Sequence, residues 1–195
     1  MDDNINGFYR LNKNLKVPVS DGTIFRCMED FCLRYENVAM AGPNYHMFAP
    51  RKTKQPPFIT NTRIYSCNLI RNDVPFRWRG RYNEDTDLSL RMLKAGWCTI
   101  QFNAFLQYKI TTQVLKGGNT GEFYANEGTY NKSKMQVDMH PDVSKLTMKW
   151  GRVHHEVNYR PFKSLKLKKK EGLDIKDGVD NYGMSLRSAT ENDKF

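Results

Sequence analysis

The sequence has no hydrophobic run long enough to cross a membrane, because a spanning helix needs about 20 consecutive apolar residues. The opening residues 1–4 contain two aspartates and no apolar segment, unlike a secretory signal or a transit peptide. We therefore expect a cytoplasmic protein.

Cysteine is scarce, with four residues in the chain: Cys27, Cys32, Cys67 and Cys98. Only the first two are close, and their C-x4-C spacing lacks the second pair that a zinc knuckle requires. The pattern favours small buried thiols in a reducing compartment.

Acidic residues are also few relative to basic ones, at 21 against 31, and the formal net charge is +10 at pH 7. A soluble protein this basic often binds a polyanion. One run of bases has no acid within it: Arg160, Lys163, Lys166, Lys168, Lys169 and Lys170. This run fits either nucleic-acid contact, through Lys163 and Lys166, or a solvated tail.

A second basic cluster alternates arginines with aromatic residues. It comprises Arg71, Arg77, Arg79 and Arg81, interleaved with Phe76, Trp78 and Tyr82. Guanidinium groups bind phosphates in a bidentate manner, and aromatic rings stack on bases. The cluster therefore predicts contact with a nucleotide or a nucleic acid.

Hydrophobic periodicity predicts helices mixed with strands, which indicates a layered α/β domain. In the first half of the chain the predicted elements are a helix over 23–35, strands over 37–42 and 63–72 and a helix from about 84 to 95. A strand over 97–102 follows, and residues 105–112 form either another strand or its continuation. The last predicted elements are a helix within 122–138, a short helix or turn over 142–149 and a strand over 150–159. The domain is expected to span 1–160. Residues 161–195 are expected to form a basic and then polar, partly disordered tail.

The helix that follows Asn83 organises the rest of the prediction. Asn83 is a suitable N-cap, and Leu88, Met92 and Ala95 form one apolar stripe. Gly96 is expected to end the helix.

Three acids lie in the first turn of this helix. Asp87 is spaced to pair with Arg91 at i, i+4. Glu84 and Asp85 would project from the mouth of the helix, where a reacting group can meet them. Acids in this position also interact with the helix dipole, so on this evidence a capping role and a catalytic role both remain open.

Further polar groups suggest a metal site. Asp2-Asp3 and His154-His155 offer carboxylate oxygens and an imidazole, a donor set suited to Mn²⁺ or Mg²⁺. Such an ion stabilises charge on a phosphate leaving group, while a separate carboxylate can deprotonate an acceptor hydroxyl. The glycine-rich loop Lys116, Gly117, Gly118 and Asn119 can approach a substrate closely, although a plain surface loop has the same composition.

Residues 84–91 (EDTDLSLR), followed by Lys94-Ala95-Gly96-Trp97, resemble the xED helix of GT-A fold glycosyltransferases. In that fold an acid at this helix mouth is the usual general base of inverting members, a role that falls to Asp85 here, with Glu84 beside it. Asp2-Asp3-Asn4 resembles the DXD element that binds the metal and the sugar nucleotide. The resemblance implies that Asp3, supported by Asp2, holds the metal, with His154 or His155 completing its shell.

The runs 61–66, 79–85 and 116–120 resemble the TET/JBP-associated glycosyltransferases, largely phage proteins thought to glycosylate hydroxymethylated pyrimidines in DNA. This resemblance covers roughly residues 1–160. It implies a nucleotide-sugar donor, DNA as the acceptor and, for a phage protein, the host cytoplasm. A hydroxyl within duplex DNA would require its base to be flipped out.

The sequence departs from the GT-A pattern in two ways. Asn4 stands where an acid is usual, and the DXD-like element begins the chain. The expected fold is α/β, a GT-A-like mixed sheet flanked by helices. Because of the second departure, we expect it to lack the N-terminal nucleotide-binding half. We expect such a sheet to expose an edge and an apolar face, and the isolated chain to be poorly soluble, to associate or to be inactive.

The sequence therefore predicts a metal-dependent glycosyltransferase. Its donor and acceptor would be held by Asn4, Trp78, Arg79, Arg81 and the loop 116–119, and DNA by Arg71, Arg77, Lys163 and Lys166. One alternative is a basic nucleic-acid-binding module without catalysis, which leaves the helix acids as ordinary caps. Another is a metal-dependent nuclease, for which the chain offers no recognisable motif.

Overall fold

The computed structural model describes residues 1–12, 15–49, 55–110 and 120–173. Its main sheet contains β1 (Ile5–Asn12), β2 (Leu15–Val19), β3 (Val38–Tyr45), β4 (Phe58–Thr60), β5 (Leu69–Ile70) and β6 (Cys98–Lys109). The helices are α1 (Thr23–Leu33), α2 (Glu84–Lys94) and α3 (Thr120–Met139). A separate hairpin is formed by β7 (Ser144–Lys149) and β8 (Arg152–Val157).

The main sheet is mixed and has the order β2-β1-β6-β3-β5, with β4 also paired to β6. β3 and β6 run parallel, and the other pairs are antiparallel. β3 and the first half of β6 are buried along their length, as expected for strands covered on both faces. The predicted α/β class, a mixed sheet flanked by helices, is confirmed.

Helices α1 and α2 contribute to different hydrophobic clusters on this sheet. Met28 of α1 packs with Val38, Ala41, Ile100 and Phe102. On α2, the predicted apolar residues Leu88 and Met92 are buried with Ala39, Met40, Ile64 and Val74. A third cluster joins Leu90 and Leu93 of α2 to Val143 and Phe162. Helix α2 is therefore held between the sheet and the later part of the chain.

Several predicted elements differ from those observed. The predicted strand over 63–72 is irregular except for β5, because its backbone groups bind side chains of α2 instead of a neighbouring strand. The segment 144–149 is a strand and not a helix or turn, since it pairs in full with β8. Of the two alternatives for 105–112, continuation is the observed one, since β6 runs from Cys98 to Lys109 as one strand. The β1–β2 hairpin was not predicted.

The segment after residue 160, assigned from composition to a tail, packs against the domain as far as about residue 170. Phe162 is buried, and its carbonyl accepts a hydrogen bond from Asn61 Nδ2 at 2.9 Å. Asn37 binds the backbone of residues 166 and 168, and the backbone N–H of Glu36 donates to the carbonyl of Lys168 at 2.8 Å. The basic run therefore lies on the domain surface. Residues 174–195 are outside the described part.

Within the described ranges, no helix is long and apolar enough to span a membrane. All four cysteines lie in these ranges as free thiols. Cys67 and Cys98 are buried, and Cys27 and Cys32 are half-buried.

Candidate active site

The N-terminus of α2 is held by its surroundings and not by the predicted side-chain cap. Asn83 has a left-handed backbone (φ 53°) and makes no capping hydrogen bond. Its side chain donates instead to the carbonyl of Lys132 in α3 at 2.8 Å. The helix ends as predicted at Gly96 (φ 86°), where the N–H groups of Gly96 and Trp97 donate to the carbonyls of Leu93 and Met92.

The side chain of Asp85 points from the first turn of α2 into the irregular segment 61–68. Its Oδ2 accepts the backbone N–H of Ser66 at 3.0 Å, and its Oδ1 accepts the side-chain amide of Asn68 at 2.6 Å. Ser89, one turn later, accepts the N–H of Ile64 at 3.1 Å and donates to the carbonyl of Asp85 at 2.7 Å. Helix α2 and this segment therefore position the Asp85 carboxylate together.

Burial raises the pKa of Asp85 above its ordinary value. The N–H of Ser66 and the amide of Asn68 act in the opposite direction, whereas the nearby carboxylates of Glu84 and Asp2 add to the increase. A carboxylate with a raised pKa is a stronger base, and one fixed by two donors is already oriented. Asp85 is thus suited to accept a proton, which favours a catalytic role over simple capping.

Ser66 connects this carboxylate to the N-terminus of the chain. It has a left-handed backbone (φ 66°), an uncommon conformation for a residue other than glycine. Its carbonyl accepts the N–H of Asp2 at 2.8 Å, and its Oγ accepts Lys109 Nζ at 3.0 Å. Tyr45 Oη lies 2.6 Å from the same Oγ. Strained backbone of this kind often lies at functional sites.

Asp2 and Lys109 form an ion pair beside Asp85, and the Lys109 side chain is largely buried. Burial lowers the pKa of Lys109, but the hydrogen bond from Lys109 to Asp2 and the electrostatic effects of Tyr45, Asp2 and Asp85 outweigh it, and the net shift is upward. The ammonium group therefore stays charged. The structure brings Asp2, Lys109 and Asp85 to one place, because all three bind Ser66.

Asp87, two residues after Asp85, has a different environment. Its side chain is fully buried and binds Arg91, as predicted, at 3.0 Å. It also accepts hydrogen bonds from Arg79 at 3.0 to 3.2 Å and from His140 Nε2 at 2.9 Å. Burial raises the pKa of Asp87, but these hydrogen bonds and the Arg91 charge lower it to about 2. Asp87 therefore has a structural role, and its low pKa makes it unsuited to accept a proton.

The arginine and aromatic cluster lies around this network. Arg79 is about half exposed, and its guanidinium binds Asp87. Arg71 binds Asp73, and Arg77 donates to the carbonyls of residues 74 and 76. Arg81 lies 5.8 Å from the ring centroid of Tyr82, and the Trp78 side chain is about half exposed. Arg71, Arg77 and Arg79 thus have local partners that the sequence did not predict, and their contact with substrate stays a prediction.

The other predicted residues lie at separate places. Glu84, Asp3, Lys163 and Lys166 are exposed. Asn4 extends the β1–β6 pairing, since its amide donates to the carbonyl of Ile110 at 3.2 Å. The loop residues Lys116, Gly117, Gly118 and Asn119 lie outside the described residues.

The two histidines lie on β8, with basic neighbours. Burial, together with the positive charges of Arg63 and Lys132, lowers the pKa of His155 to about 4. The neutral imidazole is thus the stable form, but its positive surroundings disfavour a cation. Arg63 in turn lies 4.5 Å from the ring centroid of Tyr65, next to Ser66.

The carboxylates of Asp2 and Asp3 fit only a metal site that substrate phosphates complete. Among the described residues, no three His, Cys, Asp or Glu side chains are grouped so as to hold an ion. Mg²⁺, however, is commonly bound by one or two carboxylates together with substrate phosphates. Asp2 and Asp3 can supply these carboxylates, with one oxygen of Asp2 already bound to Lys109. The residues therefore fit an ion that is shared with a bound diphosphate.

A cavity of about 190 Å³ opens beside Lys109. Tyr45 and Lys109 form one side of it, and His46, Met47 and Tyr108 line the remainder. The rings of His46 and Tyr108 meet edge to face at 5.5 Å. The cavity is smaller than a typical drug-sized pocket, and its aromatic lining suits a single planar ring.

The comparisons with known proteins identify one family. Residues 1–118 match the family model described as TET-Associated Glycosyltransferase. This match covers more than half of the chain and includes Asp2, Ser66, Asp85 and Lys109. Neither the curated proteins nor the solved structures contain a match.

Proposed function

Because the chain belongs to the TET-associated glycosyltransferase family, we propose that it transfers a sugar from a nucleotide-sugar donor to the hydroxyl of a hydroxymethylpyrimidine in DNA. The observation that carries the proposal is the Asp85 carboxylate, fixed by Ser66 and Asn68 and made more basic by burial. Asp2 and Lys109 lie beside it, since both donate hydrogen bonds to Ser66.

Asp85 acts as the general base. It takes the proton of the acceptor hydroxyl while that oxygen forms a bond to the anomeric carbon of the sugar. The bond from this carbon to the donor phosphate breaks, and the nucleoside diphosphate leaves with the electron pair. Direct displacement of this kind inverts the anomeric centre. Glu84, exposed at the start of the same helix, is available to orient the acceptor.

Asp2, Asp3 and Lys109 hold the diphosphate end of the donor. The Lys109 ammonium pairs with the leaving phosphate. Asp2 and Asp3 provide the protein oxygens for Mn²⁺ or Mg²⁺, which would neutralise charge on the leaving phosphate when bound. His154 or His155 as a further metal ligand finds no support in the surroundings of His155, which are basic.

The cavity beside Lys109 is the place for the acceptor base. Its aromatic lining can stack on a pyrimidine, and it opens next to the Asp85 cluster. The net charge of +10 supports DNA as the polymer that carries this base, as do the exposed lysines Lys163 and Lys166. DNA in the cavity would be bound with its target nucleotide flipped out of the duplex.

The test is sugar transfer to an oligonucleotide that contains hydroxymethylcytosine, measured by mass spectrometry with a panel of nucleotide-sugars and Mn²⁺. Asp85→Asn should lower transfer by about 10² or more, since general base catalysis contributes 10²–10⁴. Binding of the nucleoside diphosphate, measured by calorimetry, should remain. Asp138→Asn is the matched control, because Asp138 is exposed on α3.

Two results would overturn the proposal. One is full transfer by the Asp85→Asn variant. The other is the absence of transfer with every donor, together with DNA binding that is steeply salt-dependent and indifferent to the metal and to Asp85. That second result would identify a nucleic-acid-binding module without catalysis.

A further inference from the structure

The β7–β8 hairpin carries the most exposed aromatic side chain among the described residues. Alternate residues on one face of β7 become more exposed toward its tip. Leu146 is 39% exposed, Met148 65% and Trp150, in the turn, 88%. The base of the hairpin is anchored, because Ser144 is buried and Val157 packs against the hydrophobic cluster that contains Leu90 and Leu93 of α2. The hairpin also lies against α3, where Ser133 Oγ donates to the carbonyl of Val153 at 3.4 Å. Its turn, with Trp150, extends into solvent.

The conformation of this turn is unusual for the residue it contains. Lys149 pairs with Arg152, so the loop has two residues, Trp150 and Gly151, and both have positive φ, at 50° and 70°. Such turns favour asparagine or aspartate followed by glycine. A bulky side chain with positive φ is an outlier, and burial does not compensate it here because most of the ring is in solvent. The ring meets that of His154 edge to face, with 5.6 Å between the centroids, and this contact leaves most of its surface open.

The charges of the hairpin are mainly positive. Lys145, Lys149 and Arg152 point to one face, opposite the face of Leu146 and Met148, and Glu156 is the single acid in residues 144–157. Lys149 and Arg152 flank Trp150 directly. An exposed ring between two cations suits a ligand that has stacked rings next to regularly spaced phosphates.

The hairpin begins near the candidate active site. His155, paired with Leu146, lies within electrostatic range of Arg63. Arg63 stacks on Tyr65, whose neighbour Ser66 binds Asp85. From Leu146 to the tip is four residues, or about 13 Å at the rise of a strand. This length equals about four base-pair steps of 3.4 Å.

We propose that Trp150 is a wedge that enters duplex DNA beside the target nucleotide, while Lys149 and Arg152 bind the flanking phosphates. This inference rests on the proposed function, because a reaction on a base inside a duplex requires the base to leave the stack. Apolar side chains inserted between base steps unstack and kink DNA in other proteins. The hairpin lies outside residues 1–118 that match the family model.

Duplex DNA fits these features better than a protein partner does, and the proposed function favours DNA over a membrane. A protein partner would need a larger apolar patch, but the cations of this hairpin stand next to its ring. An anionic membrane satisfies the charges and the ring equally. The experiment therefore includes anionic vesicles as a separate arm.

The experiment compares the wild type with Trp150→Ala, Trp150→Phe and Leu33→Ala. Leu33 is an exposed apolar residue on α1, far along the chain from the hairpin, and it serves as the matched control. The first readout is the fluorescence of 2-aminopurine placed next to the target nucleotide in a duplex, which rises when the base is unstacked. It requires no sugar transfer. The second is kcat/KM for duplex and for single-stranded substrate.

For Trp150→Ala we expect the fluorescence rise to be lost and kcat/KM on duplex DNA to fall about tenfold or more, as for other stacking residues. Activity on the single strand should stay within about twofold, and Trp150→Phe should retain part of the duplex activity. Because Trp150 is exposed, its removal should leave Tm unchanged. If no sugar transfer is found with any donor but the fluorescence rise still depends on Trp150, the wedge stands and the proposed enzyme fails.

Three results would overturn the inference. The first is a Trp150→Ala variant with an unchanged fluorescence rise. The second is an equal loss of activity on duplex and single strand. The third is wild-type binding to vesicles rich in phosphatidylserine that Trp150→Ala abolishes while its DNA readouts stay unchanged.

Discussion

The backbone N–H of Ser66 donates to Oδ2 of Asp85 at 3.0 Å, across a gap of 19 residues in the sequence. This bond fixes the acid that the helix presents, and its donor is a residue with left-handed backbone. The carbonyl of Ser66 accepts the N–H of Asp2, so one peptide segment aligns both carboxylates. The geometry of the site therefore depends on the path of the chain through residues 61–68.

The first prediction concerns the stability of an Asp85→Asn variant. The folded protein raises the pKa of Asp85, so its ionisation opposes folding, and stability falls as pH rises from the unfolded pKa through the folded one. Asparagine removes this cost. Asn68 Oδ1 is buried without a partner, and a rotated Asn68 amide can accept from the new side chain.

At pH 7 we therefore expect the free energy of unfolding of Asp85→Asn to be equal to or above that of the wild type, by up to about 1 kcal/mol. Urea denaturation at pH 7 measures it. A clear loss of stability would show that the carboxylate is needed for folding, and it would weaken the assignment of Asp85 as a base.

The second prediction concerns Gly42 in β3, which passes close to the same segment. A Cβ atom there would lie 2.3 Å from the carbonyl oxygen of Cys67 and 2.7 Å from Ile64. The nearer atom belongs to the backbone, so residues 64–67 would have to move, and Ser66 with them. Gly42→Ala should cost about 1–3 kcal/mol of stability and should reduce sugar transfer more than Tm alone explains.

Gly22→Ala is the control for this change, because a Cβ atom at Gly22 has no neighbour within 4 Å. Both variants are compared by thermal denaturation and by transfer at a temperature where each is folded. Normal activity in a stable Gly42→Ala variant would mean that the segment tolerates displacement.

The sequence predicted helix α2 because its signals are local. The stop at Gly96 and the pairing of Asp87 with Arg91 are confirmed. Of the predicted apolar stripe, Leu88 and Met92 are buried, whereas Ala95 is exposed and lies just after the helix. The prediction that Asn83 caps this helix was wrong, because its side chain donates a hydrogen bond to Lys132 of α3, 49 residues away. Tertiary contact overrides a local preference there.

The rest of the candidate site depends on contacts that residue types do not reveal. Ser66 acts through its peptide group, which carries no sequence signal. Lys109 binds Asp2, 107 residues away, and only the β1–β6 pairing brings the two together. Arg79 was assigned to substrate, but the buried Asp87 binds its guanidinium, a role that its position in an arginine cluster did not indicate.

The third prediction concerns the buried network of Asp87. With a pKa of about 2 against an ordinary 3.8, the ionised Asp87 stabilises the fold above about pH 4 and ceases to do so as pH falls through 2. The shift corresponds to a contribution on the order of 2 kcal/mol. Asp87→Asn leaves the charges of Arg79 and Arg91 without their partner, so it should cost about 3 kcal/mol at pH 7.

Chemical denaturation of the wild type and of Asp87→Asn, at pH 7 and at several pH values below 4, measures the cost of the substitution and the pH dependence of the Asp87 contribution. The wild type should lose stability relative to Asp87→Asn as the pH falls, and the difference between them should shrink. Asp138→Asn, which breaks an exposed pair with Lys134, should change stability by less than about 0.5 kcal/mol. An equal effect of the two substitutions would contradict the central place of Asp87.

The fourth prediction concerns Lys109 and the pH dependence of transfer. Transfer requires ionised Asp85, so its rate should rise as pH increases through the pKa of Asp85. Lys109 interacts with Asp85, and its positive charge favours the ionised carboxylate. Lys109→Met removes that charge at nearly constant length, so the acidic limb of kcat/KM against pH should move to higher pH. Lys109→Arg keeps the charge and should leave the limb near its wild-type position. Identical acidic limbs in the wild type and Lys109→Met would show that Lys109 acts on the donor alone, because a residue that only binds phosphate changes the height of the profile and not the pKa of the base.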